Sequence, residues 1–191
     1  MKHVILTIVL LLASGLVIAQ TKMSDQLSKT TKMNAQSKIF FAGGCFWGTE
    51  HFMKQINGVT STQVGYANGK TSIKNPTYEQ VCNDNTGFAE TVEVSYDPQQ
   101  ADLKLLLELY FKTIDPTSLN RQGNDRGSQY RTGIYYTNAA DLPIIKEAIE
   151  TLAKKYSKPI VVEVEPLVNF YPAEELSLIH ISEPTRLGMI S

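Results

Sequence analysis

The chain has 191 residues, 42% of them apolar, with 18 Lys and Arg against 19 Asp and Glu for a net charge of −1. That length and apolar content suit one domain with extensions and exclude an intrinsically disordered chain. The charge balance leaves no basic stripe for nucleic acid. His3, His51 and His180 are scattered and no CxxC or HxxxH spacing exists, which argues against a zinc site.

Met1-Lys2-His3 is a short basic start, Val4 to Ile18 an apolar run, and Val17-Ile18-Ala19 a cleavage site before Gln20. Residues 1–19 are therefore expected to be a signal peptide. The run falls short of the ~20 residues that span a bilayer, so cleavage and no stable membrane association are expected. The mature protein is expected to be exported, periplasmic or extracellular. Residues 20–37 are polar and aperiodic, a linker.

Lys38 to Ala42 reads as a short buried strand, followed by Gly43-Gly44-Cys45-Phe46-Trp47-Gly48-Thr49-Glu50 and a helix running through Phe52 and Ile56 to Asn57-Gly58. Cys45 falls at that helix start, where unpaired N–H groups favour a thiolate. With Phe46 and Trp47 beside it, Cys45 is a candidate nucleophile against an apolar wall. The competing reading is a small buried packing cysteine. Cys82, in Tyr78-Glu79-Gln80-Val81-Cys82, is read most simply as packing. In an oxidising compartment the two cysteines could also form a disulfide.

Val59 to Tyr66 reads as a strand, and the polar stretch from Asn68-Gly69 to Asn75-Pro76 as a loop. Thr91 to Tyr96 is a period-two strand closed by Asp97-Pro98. Asp102 is placed to cap a helix whose Leu103, Leu106, Leu107, Tyr110, Phe111 and Ile114 keep the i, i+3, i+4, i+7 spacing. Thr117 to Arg131 forms a long Gly-rich loop of the kind that carries function. Thr132 to Tyr136 is a strand, Asp141 a cap for a helix with Pro143 in its first turn, and Ile160 to Val164 a last strand. This order predicts an α/β (α+β) two-layer sandwich, a mixed or antiparallel sheet with packed helices.

Extending the central strand backwards puts Glu90 on the apolar face of Val92, Val94 and Tyr96. A buried, unpaired carboxylate escapes its desolvation cost through a raised pKa, which makes it a proton donor near neutrality. A glutamate that reaches water or a cation is the alternative. His51, six residues beyond Cys45, is rotated about 240° around the helix and points away from the thiol.

Gly44-Cys45-Phe46-Trp47-Gly48, Asn75-Pro76-Thr77-Tyr78, Gly87-Phe88-Ala89-Glu90, Tyr96-Asp97-Pro98, and Gln122-Gly123-Asn124-Asp125 with Gln129-Tyr130-Arg131 resemble, in this order, the peptide methionine sulfoxide reductase A family. The resemblance covers Lys38 to about Glu175. It implies that Cys45 attacks the sulfoxide sulfur and becomes a sulfenic acid while methionine leaves. It further implies that Glu90 protonates the oxygen, Tyr78 and Tyr130 hydrogen-bond it, Phe46 and Trp47 hold the substrate methyl group, and Asp125 lies near the pocket. The substrate implied is the S epimer of methionine sulfoxide, free or in oxidised exported proteins. No metal or organic cofactor is implied, only an external thiol reductant, thioredoxin-like or dithiothreitol.

Two departures stand out. Phe88 occupies a place where many members have histidine. After Phe170-Tyr171-Pro172-Ala173-Glu174-Glu175 the family pattern stops, and residues 176–191 read as a translated sequencing adapter joined to a truncated gene. Residues 38–175 are thus expected to hold the reductase domain. Without a tail cysteine, the sulfenic acid falls to Cys82 or to an external thiol. Two other functions remain at this point. A Cys-dependent hydrolase or acyltransferase needs a histidine base near Cys45, and a sulfoxide-binding module would bind without turnover.

Overall fold

The computed structural model describes residues 36–83 and 85–173. The predicted signal peptide, nearly all of the linker and the 176–191 tail lie outside the described residues. The first strand, β1 (Ser37–Gly43), begins on the last residue assigned to the linker.

The elements follow as α1 (Phe46–Met53), β2 (Val59–Ala67), α2 (Tyr78–Asn83), β3 (Ala89–Tyr96), α3 (Leu103–Phe111), the two-residue strands β4 (Arg121–Gln122) and β5 (Asp125–Arg126), β6 (Thr132–Tyr136), α4 (Leu142–Ala153), β7 (Glu163–Pro166) and β8 (Phe170–Pro172). Six strands form one sheet in the order β7-β6-β1-β3-β2-β8. The β6–β7 pair is parallel and the rest are antiparallel. The sheet is mixed, with helices packed on it, as the sequence predicts.

Register sets one face of the sheet. Phe41 lies opposite both Val92 and Ile134, and Ile39 opposite Val94. Because side chains alternate along a strand, these residues share a face. The buried apolar residues of all four helices join the same cluster. The apolar stripe of α3 supplies much of it: Leu103, Leu106, Leu107, Tyr110 and Phe111 are all buried. Each such side chain contributes roughly 1.5–3 kcal/mol of transfer free energy, so Leu106→Ala would cost about 2–5 kcal/mol. Tyr110 stacks on Phe41 at 4.6 Å, and its hydroxyl donates to the Ala42 carbonyl at 2.6 Å. Asp102 caps α3 as predicted, accepting from the Leu105 N–H at 2.8 Å.

The sheet is also rolled. Laid flat, its six strands would hold β7 and β8 about 24 Å apart, yet the four residue steps from Pro166 to Phe170 reach at most about 14 Å. The two edges must therefore approach one another at one end. Asn68, at the end of β2, marks the seam: its amide donates to the Pro166 carbonyl at 3.1 Å and accepts from the Val168 N–H at 2.8 Å. Phe170 then folds over the second face, edge-on to Phe40 at 5.3 Å. It sits so close to Gly65 that a Cβ there would lie 2.6 Å from the ring. Phe88 is buried against Gly69 and edge-on to Tyr171 at 5.8 Å, so the apolar residue at this place joins the packing of the rolled end.

Several element boundaries differ from expectation. The first helix ends at Met53, short of Ile56, and tightens through the Gln55 N–H to Phe52 carbonyl and Ile56 N–H to Met53 carbonyl bonds. Asp141 makes no side-chain cap. A 3₁₀ turn over Ala139–Asp141 precedes α4, and the Asn138 side chain caps that turn by accepting from the Ala140 N–H at 3.1 Å. The last predicted strand starts at Glu163, three residues later than expected, because the Val161 N–H is taken by the Pro116 carbonyl at 2.8 Å.

Candidate active site

Cys45 stands between β1 and α1 as the N-cap residue of α1, half-buried. The turn depends on Gly44, whose φ of +82° lies in the left-handed region where a Cβ is strained. A Cβ on Gly44 would also lie 2.6 Å from Cβ of Gln122. Gln122 in turn clamps the long loop: its amide accepts from the Asp115 N–H at 2.8 Å and donates to the Asp115 carbonyl at 2.9 Å. The loop that carries Asp125 and Tyr130 is thereby pressed against the turn that carries Cys45.

The Trp47 and Gly48 N–H groups point at the thiol and favour its ionised form, as a helix start should. They are outweighed. Burial, then the charge of Glu90, then more weakly that of Asp125 push the Cys45 thiol above its ordinary range. The thiolate expected from the helix start alone is not the resting state while Glu90 is ionised.

Glu90 is 1% exposed, on the face of β3 that carries Val92 and Val94, opposite Tyr66 of β2. Burial pushes its carboxyl up to about 7, against the stabilising Phe46 N–H, which donates to Glu90 Oε2 at 3.0 Å. Near neutrality Glu90 therefore holds a proton in roughly half the molecules, and in that form it no longer raises the thiol.

The tyrosines complete the group. Tyr78, the first residue of α2, places its hydroxyl within hydrogen-bonding reach of Tyr130 and of Cys82 one turn along. These contacts and burial push Tyr78 far above its ordinary range, while burial and the Glu90 charge push Tyr130 up to about 12. Both remain neutral donors. Tyr130 sits in a 3₁₀ turn over Ser128–Tyr130 and feels the charges of both Glu90 and Asp125. Cys45, Glu90, Tyr78, Tyr130 and Asp125 therefore form one interacting cluster. Phe46 is nearly fully buried, edge-on to Trp47 at 5.0 Å, and backs the half-buried Trp47.

Cys82 is more than packing. It is half-buried, a free thiol like Cys45, and lies within reach of the Tyr78 hydroxyl, which favours its ionised form. Its signal lay in the i, i+4 spacing from Tyr78, visible only once α2 is recognised. That helix opens with a capping box: the Gln80 N–H donates to Thr77 Oγ1 at 3.3 Å and the Thr77 N–H to Gln80 Oε1 at 3.0 Å. Among the described residues no three His, Cys, Asp or Glu side chains gather as a metal site. His51 is exposed on α1.

A thiol, a buried acid that holds a proton near neutrality and two neutral phenols, joined by no imidazole among the described residues, define a thiol-dependent oxidoreductase site rather than a cysteine hydrolase. The family model described as peptide methionine sulfoxide reductase matches residues 37–181. The chain belongs to the peptide methionine sulfoxide reductase family. It is similar to peptide methionine sulfoxide reductase MsrA of Lachnoclostridium phytofermentans, 61% identical over 137 residues that cover 72% of this chain and 81% of that protein. Its fold is similar to reduced Mxr1 of Saccharomyces cerevisiae, with a TM-score of 0.73 at 38% identity over 78% of this chain and 87% of the other. A second structure, Mxr1 in complex with Trx2, matches with a TM-score of 0.55 at 31% identity over 75% and 84% of the respective chains.

Proposed function

We propose the following chemistry for the site. The chain reduces methionine S-sulfoxide, free or in proteins, to methionine, with Cys45 as the oxygen acceptor. In net form, sulfoxide and Cys45 thiol become methionine and Cys45 sulfenic acid. The sulfur–oxygen bond of the substrate breaks, the methionine sulfur is reduced, and the Cys45 sulfur is oxidised. Sulfoxide oxygen leaves poorly until protonated, and Glu90 in its neutral form is the proton donor. Tyr78 and Tyr130 hydrogen-bond that oxygen as charge develops on it. Trp47, backed by Phe46, holds the methyl group, and Asp125 helps keep Glu90 protonated, since its charge opposes a second carboxylate.

The observation that carries this reading is Glu90: buried, held up to about 7, and close enough for its charge to raise Cys45. Protonating Glu90 supplies the acid and at the same time eases formation of the thiolate.

Turnover then needs an external dithiol, which reduces the sulfenic acid, releases water and becomes a disulfide. The complex of the yeast relative with Trx2 supports a thioredoxin-like reductant, and dithiothreitol can serve in vitro. The pattern of Met1 to Ala19 supports work outside the cytoplasm. An N-terminus beginning at Gln20 in the secreted protein would bear this out, and an intact Met1 on a cytoplasmic protein would contradict it.

Incubating the protein with each sulfoxide epimer and dithiothreitol tests the function. Turnover of the S epimer alone is expected. Binding without methionine formation would instead mark a sulfoxide-binding module.

A further inference from the structure

Tyr130 hangs on a three-residue 3₁₀ turn whose backbone bonds are the Tyr130 N–H to Gly127 carbonyl at 3.0 Å and the Arg131 N–H to Ser128 carbonyl at 3.3 Å. Such a turn has little stability of its own. The next side chain, Arg131, is only 12% exposed and uses all three guanidinium nitrogens. Nε donates to Glu163 Oε2 at 2.8 Å, one terminal nitrogen to the Ser128 carbonyl at 3.0 Å, and the other to the Asn68 carbonyl at 3.3 Å. Glu163 is itself steadied by the Tyr135 hydroxyl, which donates to the same Oε2 at 2.9 Å.

These acceptors belong to three segments: the turn that carries Tyr130, the end of β2, and β7. They meet at the seam where the sheet rolls its edges together. Asn68 is locked there by its own bonds to Pro166 and Val168 and holds a φ of +51°. The guanidinium thus fastens a weak turn to the seam where β2 and the chain after β7 are hydrogen-bonded together.

We propose that Arg131, anchored by Glu163, is a positioning residue that holds Tyr130 at the distance its hydroxyl needs to meet the sulfoxide oxygen. The proposal rests on the role given to Tyr130 above. It requires the planar three-nitrogen fork, which a lysine ammonium cannot reproduce across acceptors on three segments. Arg131 acts here through Tyr130 and touches no substrate.

The test is a double-mutant cycle on kcat/KM for methionine S-sulfoxide with dithiothreitol, using Tyr130→Phe, Arg131→Gln and the double variant, with urea unfolding measured for each. Arg131→Gln is expected to lower kcat/KM on the order of 10- to 100-fold, chiefly through kcat. In the Tyr130→Phe background the same change is expected to cost little. A merely structural Arg131 would cost the same in both backgrounds, and that result overturns the proposal, as does wild-type activity in Arg131→Gln. If Arg131→Gln does not fold, Glu163→Gln removes the anchor while leaving the guanidinium its two carbonyls, and the same cycle with Tyr130→Phe decides the matter. Wild-type activity in Tyr130→Phe alone would count instead against the tyrosine's role, a separate and recognisable outcome.

Discussion

The Phe46 N–H donates to Glu90 Oε2 at 3.0 Å, and this bond links the first residue of the helix after Cys45 to the buried acid on the central strand. It ties the thiol and its proton donor into one unit, and it partly offsets the burial that keeps the carboxyl protonated up to about 7. The reactive geometry and the stability of the fold are set against each other here.

Glu90→Gln separates the two. The amide cannot deliver a proton, so kcat/KM is expected to fall about 10²- to 10⁴-fold. In the wild type, kcat/KM is expected to decline as pH rises through about 7, because Glu90 loses its proton there; the tyrosines do not ionise in that range.

The same substitution should raise stability. The unfolded carboxyl ionises near its ordinary value, whereas the folded one keeps its proton to about 7. Between those values the folded state binds more protons, so the stability present in acid is lost as pH rises through about 7. Glu90→Gln removes that loss, and urea unfolding at pH 8 should show a gain on the order of 3 kcal/mol that disappears near pH 4. A destabilised variant at pH 8 would contradict the buried-acid reading.

Gly44→Ala tests how closely the long loop bears on the nucleophile. The φ of +82° and the contact with Gln122 both oppose a methyl group. A loss of about 1–3 kcal/mol in urea unfolding is expected, along with lower activity as the loop lifts from Cys45. An unchanged variant would mean that the turn relaxes without consequence.

Cys82 offers a finer test. Cys82→Ser keeps an acceptor for the Tyr78 hydroxyl and should stay close to wild type in kcat/KM. Cys82→Ala removes it and should cost up to about tenfold. Equal losses in both would indicate that the thiol matters for packing alone.

Much of this was legible in the sequence for identifiable reasons. The alternation of Val92, Val94 and Tyr96 placed Glu90 on the buried face, and the spacing of Leu103 to Phe111 located the core helix. Local patterns do not report what comes from distant chain crossings. The raised Cys45 thiol arises first from burial under the folded chain and then from the charge of Glu90, 45 positions later, and together they override the helix-start effect that a local reading sees. The rolled seam joins Asn68 to Pro166 and Val168, so neither β8 nor the buried role of Arg131 carries a local signal. Helix α2 does carry a local signal, the Thr77-x-x-Gln80 capping box, but it directly follows the turn-forming Asn75-Pro76 and is only six residues long.

The central claim is that Cys45 takes the oxygen. Purified protein, mixed with excess methionine S-sulfoxide and no reductant, should form about one methionine per chain, with a sulfenic acid trapped at Cys45 and Cys45→Ser inert. Methionine formed by Cys45→Ser, or a sulfenic acid found at Cys82 with Cys45 untouched, would contradict the account.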